Sequence, residues 1–116
     1  MKESVLREKS YAFAIRIIRL SVYLQKEKQE YVLSKQMLRS GTSIGALVRE
    51  SEYGQSKLDF IHKLSIALKE ANETEYWLSL LSETDFIEKK IHASISADLT
   101  EVLRILIASI KTAKGK

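Results

Sequence analysis

The chain has 116 residues, with 19 Lys and Arg against 15 Asp and Glu, no proline and no cysteine. That length suits one domain around one core, and 45% apolar with 29% charged residues is a globular balance, neither disordered nor membrane-spanning. Without cysteine there is no disulfide framework, no thiolate zinc site and no cysteine nucleophile.

The absence of proline and the presence of only four glycines predict long, unbroken helices. Apolar residues recur at spacings of three and four in four segments, at 4–28, 31–53, 57–84 and 88–113. The fold class expected is all-α, a single antiparallel up-down-up-down four-helix bundle over residues 1–116. The first segment ends in a charged run, Gln25 to Glu30, and the second at Gly54. Ser56 with Asp59, and Asp85 with Glu88, have capping-box spacing ahead of the third and fourth segments. The most apolar stretch, Ile105 to Ile110, is far shorter than the ~20 residues of a bilayer span. Residues Met1 to Glu8 mix charges and lack the apolar run of an export signal. A cytoplasmic protein with no membrane partner is expected.

Two segments carry more apolar surface than one seam needs. In the first, Tyr11, Ile15, Ile18 and Val22 form one face, while Leu6, Phe13, Ile17, Leu20 and Leu24 form another on nearly the opposite side. In the third, the core seam is Phe60, Leu64, Ala67, Ala71, Thr74, Leu78 and Leu81, and a second line holds Ile66, Glu70, Glu73, Trp77 and Leu80. Such surplus predicts self-association. Leu6, Phe13, Ile17, Leu20, Leu24, Ile66, Trp77 and Leu80 are the interface candidates, and a wide core is the alternative.

In the second segment Gly41 and Gly45 stand one turn apart beside Met37, Ile44 and Val48. A helical glycine costs about 1 kcal/mol relative to alanine, so close helix packing is the expected compensation. A phosphate-cradling loop would need a preceding strand and a following Lys-Ser/Thr, and the sequence offers neither. Arg39 and Glu50 on the other side, with Glu70 and Glu73 of the third segment, are candidate structural ion pairs.

Residues 1–60 hold 11 Lys and Arg against 7 Asp and Glu, and residues 61–116 hold 8 of each, so the excess of four lies in the first half. Lys9, Arg16, Arg19, Tyr23 and Lys26 share one side of the first helix, where cations could track phosphates and an aromatic could stack on a base. Lys111, Lys114 and Lys116 form a second basic group. These make RNA or DNA a candidate partner.

Catalysis finds little support. Asp59 and His62 have the carboxylate–histidine spacing of di-metal bundles, but a bundle site needs two such motifs, and His92 has no carboxylate three residues before it. Glu70 and Glu73 have no accompanying nucleophile or oxyanion donors. No enzyme, no cofactor and no metal are expected.

Tyr31 to Gln36, Leu38 to Ala46, Asp59 to Ala71 and Glu73 to Leu78 together resemble the bacterial four-helix-bundle family named after the protein encoded in intervening sequences of large-subunit ribosomal RNA genes. The resemblance spans nearly the whole chain. It implies a ring-shaped homopentamer and kinship with the accessory variability protein of diversity-generating retroelements, which binds nucleic acid and a reverse transcriptase. Arg39, Ser43, Glu50, Glu70, Glu73 and Trp77 fall on the family's recurring positions. Many members carry Asn-Ile-Ala-Glu-Gly where this chain reads Leu47-Val48-Arg49-Glu50-Ser51. The function expected is therefore a non-catalytic homo-oligomeric module that binds nucleic acid or a ribonucleoprotein. A protein-binding scaffold is the alternative, and a metal-dependent enzyme ranks third.

Overall fold

A computed structural model of the chain describes residues 2–115, with side chains from 5 to 115. The helices are α1 (Lys2–Glu27), α2 (Leu33–Glu52), α3 (Lys57–Glu83) and α4 (Lys89–Lys114). Each packs on its sequence neighbour, and α4 returns to α1, while the diagonal pairs stay apart. Short links between long rods leave this up-down-up-down bundle as the compact solution. Its extents are 47 × 22 × 19 Å.

The links use local chemistry. Gln29 adopts a left-handed φ of 50°, and the Leu24 carbonyl accepts from both Lys28 N and Glu30 N at 3.1 and 3.0 Å. The chain then turns so that the Glu30 carboxylate accepts from the N–H groups of Val32, Leu33 and Ser34 at 3.1, 2.8 and 2.7 Å. A charged residue at the end of a polar run thus satisfies three otherwise unpaired donors at and just before the start of α2. It also favours the positive end of that helix. Ser56 caps α3 as the spacing predicts, its Oγ accepting from Asp59 N at 3.1 Å.

Asp85 does not cap α4. It takes a φ of 68° and closes α3: Asp85 N donates to Ser82 O at 3.1 Å and Phe86 N to Leu81 O at 2.9 Å. This pair of bonds is a Schellman closure, and it occupies the residues that the capping box would have used. Glu88 instead begins α4, with no side-chain cap bond.

Among the described residues, nineteen buried apolar side chains form one cluster. From α3 come Leu64, Ala67, Ala71, Leu78 and Leu81, with Thr74 buried beside them, while Phe60 lies at the margin. From α1 come Leu6, Phe13, Ile17, Leu20 and Leu24, each at most 8% exposed. This corrects the interface expected for those five: they are the chain's own core. The outward stripe is the other one, Tyr11, Ile15, Ile18 and Val22. The inner face spans five turns and includes the bulky Phe13, whereas the outer face is shorter and carries a tyrosine hydroxyl that water can satisfy.

Beside the core line of α1, Ser10 and Ile17 meet α2 at its glycines. A Cβ on Gly41 would lie 2.9 Å from Cγ2 of Ile17, and one on Gly45 would lie 3.4 Å from the Ser10 carbonyl oxygen. Helix α1 therefore sits against the α2 backbone at Gly41. Across the α2–α3 seam, a buried hydroxyl pair links Thr74 Oγ1 to Ser40 Oγ at 2.8 Å, with the Thr74 hydroxyl also donating to Glu70 O at 2.8 Å in an alternative arrangement of its proton.

Candidate nucleic-acid interface and assembly face

The α1 sequence has three distinct sides at 100° per residue. One enters the core. The stripe Tyr11, Ile15, Ile18 and Val22 lies roughly opposite, with spacings of four, three and four, and its members are 36–57% exposed. The basic side lies between them, turned toward α4.

That side divides in two. Lys9 Nζ lies 3.2 Å from Glu101 Oε2. Arg16 donates through Nη1 to Asp98 Oδ2 and through Nη2 to Ser94 Oγ, both at 2.8 Å. These two expected phosphate contacts are thus engaged in tying α1 to α4. The sequence does contain the complementary signal, because Ser94, Asp98 and Glu101 repeat at four and three along the facing side of α4. Arg19, Tyr23 and Lys26 remain exposed, and neither cation takes part in an ion pair among the described residues. Lys111 and Lys114 are exposed at the end of α4, and Lys116 lies outside the described residues.

Beyond Arg16 the α1–α4 seam opens into a cavity of about 500 Å³. Leu20, Ile87 and Ile95 give it an apolar floor, while Arg19, Tyr23, Glu88 and Ile91 stand around it. Nothing in the sequence reading located this cavity, because α1 and α4 are distant in the chain and their divergence is a packing outcome. A smaller hollow of about 240 Å³ flanks the outer stripe between α1 and α2, where the Arg49 guanidinium lies 5.6 Å from the centre of the Tyr11 ring.

On the α2–α3 face, Arg39 Nη1 donates to Glu70 Oε1 at 3.2 Å and Nη2 to Glu73 Oε2. Trp77 Nε1 donates to the same Glu73 oxygen at 3.0 Å. The Arg39 hydrogen bond, then the Trp77 hydrogen bond, hold the Glu73 carboxyl below the usual glutamate range. Hydrogen bonding by Glu73 likewise raises Arg39. Trp77 corrects the outward placement expected for it: the indole is half-buried and packs on the core, and its neighbour Tyr76 is the exposed aromatic. Ile66 and Leu80 are also half-buried. The reason is that α2 runs alongside this second line of α3 and Arg39 draws Glu70 and Glu73 toward it. Glu50 belongs elsewhere, 3.2 Å from Lys63 Nζ. Ser43 turns back on its own helix, donating to Arg39 O at 2.6 Å.

The histidines do not converge with carboxylates: His62 is exposed on α3, and His92 is half-buried on α4. Among the described residues no group of three or more His, Asp or Glu is arranged to hold a metal ion. Nor is any described helix long and apolar enough to cross a membrane.

The model of the 23S rRNA-intervening sequence protein family matches residues 2–108. The chain belongs to that family. The crystal structure of a protein of unknown function from the S23 ribosomal protein family of Bacteroides thetaiotaomicron is similar at 56% identity, over 96% of this chain and 99% of that one, with a TM-score of 0.95. No curated protein matches the chain.

Proposed function

We propose that this chain is a homo-oligomeric helical module that binds nucleic acid, or a ribonucleoprotein, without performing catalysis. The observation that carries the reading is the stripe Tyr11, Ile15, Ile18 and Val22, contiguous and exposed on the face of α1 turned away from the core. An isolated monomer gains nothing from such a patch, and burial against another copy would remove it from water. A ring of five is the assembly that the family resemblance implies. Such a ring needs a heterologous contact, in which the stripe of one copy meets a different face of the next, and it closes when the rotation permits.

The nucleic-acid part rests on Arg19 and Lys26 flanking Tyr23, two cations without an ion-pair partner among the described residues. One such set binds weakly, and repetition around a ring multiplies weak contacts. A protein-binding scaffold would use the same stripe but has no use for those cations.

Sedimentation tests the first part: the wild type should run as an oligomer at micromolar concentration and Ile15→Glu with Ile18→Glu as a folded monomer. A monomeric wild type would refute assembly. Electrophoretic shift of labelled RNA and DNA tests the second part. Binding should weaken steeply as salt rises, and Arg19→Glu with Lys26→Glu should abolish it while leaving the oligomer intact.

A further inference from the structure

We infer that the cavity between α1 and α4 is a pocket for one unpaired nucleotide base, guanine above all, so that the protein reads single-stranded rather than duplex nucleic acid. The inference rests on the nucleic-acid reading above and adds to it the form of the ligand and the residues that select it.

Volume comes first. About 500 Å³ lies within the range of small-molecule sites and accommodates a nucleoside. The floor, Leu20, Ile87 and Ile95, is 8%, 5% and 2% exposed and offers no hydrogen bond, which suits the face of a heteroaromatic ring better than a hydrated ion. Tyr23, 42% exposed on the wall, supplies an aromatic surface of the kind on which single-stranded bases stack.

Charge then selects the occupant. Arg16 is neutralised by Asp98, which leaves Arg19 as the free cation of the wall. Arg19, Tyr23 and Lys26 follow one another at spacings of four and three, so both cations lie along the same side of α1 about 10 Å apart. A backbone running along this side would pass its phosphates over Arg19 and Lys26 with a base turned inward between them. Glu88 is the specificity element. Glu88 is exposed at the rim, and its carboxylate makes no capping bond and no ion pair among the described residues, so it is free to exchange water for the donors of a ligand. Guanine presents adjacent N1–H and N2–H donors that a carboxylate can accept together, whereas uracil presents one imide N–H between two carbonyl oxygens that it would repel. An all-anionic ligand would meet the same repulsion from Glu88. In a duplex the Watson–Crick edge and the ring faces are already occupied, so only an unpaired base can enter.

The test is fluorescence anisotropy on the full chain, at low salt, with labelled 12-nucleotide oligouridines that carry at the centre a guanine, a uracil or an abasic site, and with a duplex of matched length. The guanine strand should bind on the order of tenfold tighter than the abasic strand, and tighter than the duplex. Tyr23→Ala should remove most of that advantage, Glu88→Gln should narrow the gap between guanine and uracil, and Ile91→Trp, which fills the mouth from an exposed position, should erase both differences. If guanine, uracil, abasic and duplex probes bind alike, and Tyr23→Ala and Ile91→Trp change nothing, the pocket is overturned while electrostatic nucleic-acid binding stands. If no probe binds at low salt to the intact protein, the nucleic-acid reading falls and the pocket with it.

Discussion

Glu30 shows how much one side chain can contribute at a helix end. Three backbone donors, from Val32 and the first two residues of α2, converge on its carboxylate, and the residue is only 8% exposed. Glu30→Ala should cost about 1–2 kcal/mol in urea denaturation, and Glu30→Gln, which keeps an acceptor, should cost less. Gly41 and Gly45 look equivalent in sequence but differ in what surrounds them. At Gly41 a methyl group would press on Ile17, fully buried and held close to its own backbone, so Gly41→Ala should destabilise by about 1–3 kcal/mol despite the better helix propensity. At Gly45 the contact is ordinary, so Gly45→Ala should be neutral or stabilising by up to about 1 kcal/mol. Urea midpoints of the pair check the contrast. Glu73 gives a pH signature. Its folded value is depressed by Arg39 and then Trp77, so its contribution is present above the ordinary glutamate value of 4.5 and is lost as pH falls through the lower, folded value. The melting-temperature difference between wild type and Glu73→Gln should therefore be largest near neutrality and shrink below pH 4.5.

At the scale of the element, one amphipathic sequence gives α1 a core face, an exposed apolar stripe and a basic side, and charge ties it to both neighbours, Arg7 to Glu52 of α2 and Lys9 and Arg16 to Glu101 and Asp98 of α4. The Arg16–Asp98 and Lys9–Glu101 pairs have partners 37–53% exposed, a setting where water screens attraction. Asp98→Ala should cost less than about 1 kcal/mol by chemical denaturation, and it should leave Arg16 free to strengthen nucleic-acid binding at low salt. The lengths of all four helices were legible, because the absence of proline and a sustained 3–4 spacing leave few places to stop. The seam of α3 was equally plain, since alanines and leucines alternate with polar residues. The choice between the two faces of α1 was not legible: both are apolar at helical spacing, and periodicity carries no information about which one meets α2 and α4. The capping of α4 failed for a related reason, since the Asp85 segment fits two local motifs and the end of α3 took it.

For the whole molecule, the proposed burial of the outward stripe of α1 in an assembly would link stability to concentration. If each copy buries that stripe against its neighbour in the ring, the melting temperature of the wild type should rise with protein concentration, and that of Ile15→Glu with Ile18→Glu should not; a scanning series over a hundredfold dilution measures it. The sequence by itself determined the helix count, the all-α class, the existence of two apolar faces on α1 and the excess of positive charge in the first half, because these depend on spacing and composition along a single chain. Only the tertiary structure decided which face of α1 is core, that Lys9 and Arg16 are held by carboxylates of α4, that Trp77 is half-sheltered beside Arg39 and Glu73, and that α1 and α4 part to leave a cavity. Each of those is a relation between residues brought together by helix packing, and the distance at which two rods settle depends on the shapes of both.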